Sequence, residues 1–67
     1  MEILLFKNTK ETDLKIGLKV CYQNLQGVYN NLGTITDILD KQHNKEYVLN
    51  TSFGSYVESE LKLIKSE

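Results

Sequence analysis

The sequence predicts an all-β domain, and three observations carry that expectation. From Leu14 onward apolar residues recur at every second position: Ile16, Leu18, Val20 and Tyr22 alternate with Gly17, Lys19 and Cys21, the period of a half-buried strand. Tyr47, Leu49 and Thr51 repeat the pattern around Val48 and Asn50. Between such runs lie stretches rich in glycine and asparagine, residues that tolerate the backbone conformations of turns. The chain of 67 residues suffices for one domain, and so small a domain buries only about 60% of the surface of its unfolded chain.

In chain order, Met1 to Phe6 reads as an edge strand in preference to an exposed apolar arm, because soluble proteins avoid exposed apolar runs. Lys7 to Asp13 is a polar loop. The strand from Leu14 ends in a direction-changing loop, Gln23 to Asn31, with Asn24, Gly27, Asn30 and Asn31. Gly33 opens the next strand. Its apolar residues Ile35 and Ile38 are three apart, which calls for a bulge near Thr36 and Asp37 if both are to face inward. A helix over Thr34 to Lys41 also fits that spacing, but the segment is short and rich in β-branched residues. Asp40 to Lys45 is a polar hairpin loop, Phe53-Gly54 a tight turn, Tyr56-Val57 a short strand, Glu58 to Leu61 one turn of tight helix, and Leu63-Ile64 a last strand. These elements predict a small barrel of about five strands over residues 14–64. Residues 1–13 supply the N-terminal strand or arm and its loop, and residues 65–67 a tail. The expected core is Ile16, Val20, Ile35, Ile38, Leu49, Val57 and Leu61.

Composition narrows the function. Eight lysines face nine acids, giving a net charge of −1, and there is no arginine. Nucleic-acid binders carry a basic stripe, and bidentate reading of guanine or phosphate falls to arginine, so a nucleic-acid partner is disfavoured. Cys21 is the one cysteine and His43 the one histidine, too few for a disulfide or a structural zinc site. A lone thiol fits a reducing cytoplasm. Ile3 to Phe6, preceded by Glu2, is too short for a signal-peptide core, and nothing approaches the roughly 20 apolar residues of a membrane span. Cys21 on a strand and His43 in a polar loop do not form a nucleophilic pair. Glu58 and Glu60 fall in a solvent-facing turn. Neither a phosphate loop nor a metal motif is present. The expectation is a non-enzymatic module without cofactor.

Leu14-Lys15-Ile16-Gly17, Val20, Gly33-Thr34-Ile35 with Ile38, and Val57-Glu58-Ser59-Glu60-Leu61-Lys62-Leu63-Ile64 resemble the small bacterial and phage Src-homology-3-like barrels of the KOW and Tudor-like kind. The resemblance covers Leu14 to Ile64 and implies a five-stranded barrel, to which the Met1 to Phe6 run would add a strand. The chain departs from that pattern in two places. Leu18 follows Gly17, where such barrels carry an acidic or polar residue, and Gln23 to Gly33 lacks the basic residues of a KOW nucleic-acid face. The absence of tryptophan argues against the proline-recognising branch. The resemblance implies binding through rim aromatics, which points to Tyr22, Tyr29, Phe53 and Tyr56, with Leu18 joining the patch if it faces outward; the other reading is that the tyrosines cap the small core with their hydroxyls in water. A protein partner is the first reading. A KOW-like association with nucleic acid or the ribosome, through Lys19, Lys15 and base stacking on tyrosine, is the alternative. An enzyme is a distant third.

Overall fold

In the computed structural model, residues 5–51 and 53–65 are described, and the side chains of Leu5 and Lys65 are not. The Ile3-Leu4 part of the N-terminal run lies outside them. Six strands form one antiparallel sheet: β1 (Leu5–Asn8), β2 (Lys19–Tyr22), β3 (Asn31–Asp40), β4 (Lys45–Leu49), β5 (Ser55–Tyr56) and β6 (Leu61–Lys65). Two single-turn 3-10 segments, Glu11–Asp13 and Glu58–Glu60, complete the elements. The strands lie in the order β1-β6-β2-β3-β4-β5. The all-β expectation is met, but the sheet is open rather than closed into a barrel: β1 and β5 are its two edges.

Register explains which residues meet. Val20 lies opposite Leu63 on one side and Gly33 on the other, and Ile35 lies opposite Leu49. Leu14, Val20, Ile35, Tyr47, Leu49, Leu61 and Leu63 form the buried cluster, with Leu18, Tyr22, Ile38 and Tyr56 packed against it half-buried. β3 is long enough to serve both halves of the sheet because it bends. Its register with β4 slips between Ile35 and Asp37, leaving Thr36 as the extra residue of a bulge. That slip turns both Ile35 and Ile38 toward the core, as the spacing of three required.

The structure corrects three details. Ile16 is not core: it is 63% exposed. It sits in a turn with Gly17, whose φ of +93° belongs to the left-handed region that glycine adopts without a Cβ clash. The turn breaks the alternation, so Leu14 takes the buried place instead. The strand therefore starts at Lys19 rather than Leu14, although Gly17 N donates to Ile35 O (2.7 Å) and Ile35 N to Leu18 O (3.0 Å) just ahead of it. Val57, also expected in the core, is half-buried and not part of the core cluster. Gly33 lies within β3, which already pairs at Asn31 with Tyr22.

The first 3-10 turn is tied down by Thr9, the residue after β1. Thr9 is 8% exposed, and its hydroxyl lies 2.8 Å from Glu58 O and 3.2 Å from Leu61 O. Its single proton goes to the nearer carbonyl. This tether holds the N-terminal segment to the second 3-10 turn across the whole chain. Thr9→Val keeps the shape and removes this hydrogen bond while Glu58 O keeps the backbone N–H of Leu61, so urea unfolding of this variant should register a loss of about 1 kcal/mol. An unchanged midpoint would mean that the tether carries no stability.

Candidate functional site

The aromatic residues fall into two places. Tyr22 ends β2 and Tyr56 ends β5. Both are half-buried against the core, and their ring centroids are 5.0 Å apart at a 44° tilt, within the favoured range for aromatic pairs. Their approach follows from the fold: Tyr56 lies opposite the buried Tyr47, while Tyr22 lies opposite Leu61, the first residue after the second 3-10 turn. Thr51 steadies the pair. Its hydroxyl donates to Leu32 O at 3.0 Å and lies 3.2 Å from the Tyr22 hydroxyl.

Tyr29 joins the same end of the sheet. Its hydroxyl donates to Ser59 O at 2.9 Å and accepts from Gln23 Nε2 at 2.6 Å. Lys62 Nζ stands 4.8 Å from its ring centroid and also donates to Asn8 Oδ1 at 2.9 Å. The loop presenting Tyr29 is built locally. The Asn24 side-chain oxygen accepts from the backbone N–H groups of Gln26 and Val28, and Gly27 supplies a φ of +83°. Tyr22, Tyr29 and Tyr56 thus gather around Glu58–Glu60, itself closed by Val57 N donating to Glu60 Oε1 at 3.1 Å.

Phe53 lies apart. Its side chain is fully exposed, and with Leu39, Val48, Gly54 and Ser55 it borders a separate shallow depression. Leu18 is half-buried and packs against the core, as Tyr22 and Tyr56 do. The other exposed apolar residues are Phe6, Ile16, Leu25, Val28 and Leu32. Of these, Ile16 and Leu25 owe their exposure to turns that local periodicity does not reveal. No family model matches the chain, and neither a curated protein nor a solved structure does. The surface must therefore be read from its own chemistry.

Cys21 is fully buried and free. It faces away from the core cluster, between Leu32 and Lys62 in the register, and burial pushes its thiol pKa up. A protonated, sealed thiol is a poor nucleophile. His43 is exposed in the β3–β4 loop. Among the described residues, no group of three or more His, Cys, Asp or Glu is placed to hold a metal, and no helix is long and apolar enough to cross a membrane.

Burial also raises the hydroxyl pKa of Tyr47 and of Tyr56. Each of these groups, like Cys21, holds its proton more tightly folded than unfolded. Its contribution is therefore complete below the unfolded-state pKa and is lost as pH rises through the folded-state value. Stability should be level at neutral pH and fall from about pH 8.5 upward, where free thiols ionise. Cys21→Ala should delay that fall to the tyrosine range near pH 10. Chemical denaturation across alkaline pH reads both onsets, and an onset that does not move in Cys21→Ala would clear the thiol of any part in it.

Proposed function

We propose that this chain is a small non-enzymatic binding module of the Src-homology-3-like kind, and that it engages a protein partner through the aromatic surface around Glu58–Glu60. The strand order β6-β2-β3-β4-β5, with a 3-10 turn between β5 and β6, supports the fold reading. The observation that carries the binding reading is the Tyr22–Tyr56 pair, half-exposed at 5.0 Å with Tyr29 pinned beside the same turn. Tyrosine covers apolar area at low entropic cost and keeps a hydroxyl for hydrogen bonding. Loops on a rigid sheet are where recognition residues concentrate. Phe53, exposed on the β4–β5 connection, is a second, separate aromatic contact point. The balanced charge and the lack of arginine weigh against a phosphate-led interface. The buried lone thiol fits a reducing compartment, and a compact module of this kind suits an accessory protein of a phage or mobile element.

The test separates contact from packing. Tyr56 supports the core, so its truncation would confound binding with stability. Tyr29→Ala combined with Phe53→Ala removes one half-buried and one exposed ring outside the core cluster and should leave the melting temperature within a few degrees of the parent. Capture of the partner by the immobilised chain should drop at least tenfold, the size expected when aromatic anchors are lost. Lys15→Ala with Lys19→Ala should leave capture intact. The opposite pattern, with nuclease-sensitive capture lost in the lysine variant, would transfer the function to nucleic acid.

A further inference from the structure

Tyr47 presents a chemical problem that the aromatic surface does not solve. It is 1% exposed in β4, its ring within the core cluster. Its hydroxyl is sealed from solvent and, among the described residues, has no hydrogen-bond partner. A buried polar atom left unpaired costs about 1–3 kcal/mol, whereas phenylalanine would fill the same space without that cost. Such atoms are few in native interiors, and one that persists calls for a partner.

The groups around the hydroxyl define that partner. Tyr47 lines a depression of about 260 Å³ together with Glu11, Asn44, Lys45, Glu58 and Ser59. Burial is the main influence on its hydroxyl, and the charges of Glu11, Lys45, Glu58 and Asp40 act on it after that. Glu11 is engaged by Lys45, with Nζ and Oε1 3.4 Å apart. No described hydrogen bond or ion pair reaches the Glu58 carboxylate; its backbone oxygen accepts from the Thr9 hydroxyl and from Leu61 N. One ammonium against two carboxylates leaves the depression one negative charge in excess. The absence of a metal-competent trio among the described residues directs that charge to an organic cation.

We propose that this depression binds a single primary ammonium group, paired with the Glu58 carboxylate and hydrogen-bonded to the Tyr47 hydroxyl and the Asn44 side-chain oxygen. An ammonium carries three N–H donors and no acceptor, which matches three acceptor residues. The volume admits one head group and falls below the range of drug-sized ligand pockets. Contact with the sealed hydroxyl requires the side chains over it to rotate aside. It is supplied either by a lysine side chain of a partner or by a free alkylamine. The site does not depend on the aromatic surface and is tested without it.

The full chain, 15N-labelled, is titrated with ethylammonium chloride, with sodium chloride and tetramethylammonium chloride at equal concentrations as controls. Saturable amide shifts at Asn44, Tyr47 and Ser59 are expected with ethylammonium only, because tetramethylammonium has no N–H donor. Glu58→Gln should weaken the response about tenfold. Tyr47→Phe should weaken it too, while leaving the melting temperature of the free chain unchanged or raised. A short lysine-containing peptide that binds more tightly than ethylammonium assigns the cation to a partner's side chain; equal affinity assigns it to the free amine. Identical drift in all three salts overturns the proposal. So does a lowered melting temperature in Tyr47→Phe, since that would reveal a hydrogen bond already made. Should Tyr47→Phe not fold, unchanged ethylammonium affinity in Glu58→Gln overturns it equally.

Discussion

Ile35→Ala should bring this domain close to unfolding. Ile35 is fully buried at the residue before the β3 bulge, opposite Leu49. Its backbone also receives Gly17 and reaches Leu18, so it joins β3 to the segment leading into β2. Removing three buried carbons from such a site costs about 2–5 kcal/mol, because the cavity cannot collapse without moving the bulge. At the usual stability per residue a chain of this length has only about 3–10 kcal/mol in total. Thermal and urea unfolding should give a loss in the upper part of the first range, with a partly unfolded population at 37 °C. Val57→Ala, at the half-buried margin, should cost about 1 kcal/mol. Equal losses from the two would mean that the core is centred elsewhere.

Gly33→Val should be nearly as damaging, by crowding rather than by a cavity. A Cβ at Gly33 would lie 2.8 Å from Thr51 Oγ1 and 3.3 Å from Leu49 Cβ. Leu49 is part of the core, and Thr51 clips Leu32 O and the Tyr22 hydroxyl, so neither neighbour yields cheaply. Valine adds two methyl groups beyond that contact, and overpacking of this kind costs about 1–3 kcal/mol. Gly27→Ala is the contrast. Nothing lies within 4 Å of its Cβ position, but its φ of +83° is strained for any side chain, at about 1 kcal/mol. Valine at 33 should exceed alanine at 27, and should also loosen Tyr22, visible as a change in tyrosine fluorescence. Small, equal effects would place Gly33 outside the packed sheet.

Much of this architecture is legible in local pattern, and what is not has a definite cause. Alternation locates β2 and β4, the three-residue spacing of Ile35 and Ile38 locates the bulge, and Glu58 to Leu61 reads as a tight turn because polar residues separate two apolar strand ends. The exchange of Ile16 for Leu14 in the core is illegible, because one positive φ at Gly17 reverses which residue faces in, and a period-2 count cannot register it. Cys21 falls on the polar side of that count, and only neighbouring strands and loops decide that it is buried. The open sheet likewise depends on strand edges that do not meet, a long-range fact. For the site, the tyrosines are identifiable by type and by their position beside loops. Their sorting is not: Tyr22 and Tyr56 meet through the β2–β6 and β4–β5 pairings, while Phe53 is carried to the far side of the β4–β5 connection. The unpartnered hydroxyl of Tyr47 has no sequence signature at all, since a strand tyrosine with a satisfied hydroxyl reads the same.

Aromatic contact, rather than phosphate neutralisation, is proposed to carry binding. It is tested most directly by following the affinity of the captured partner from about 50 mM to about 500 mM salt. An aromatic interface on a chain of net charge −1 should lose less than about tenfold over that range, because no ordered counterions are released. A linear fall of several decades in log affinity against log salt would contradict the account and identify a nucleic-acid ligand.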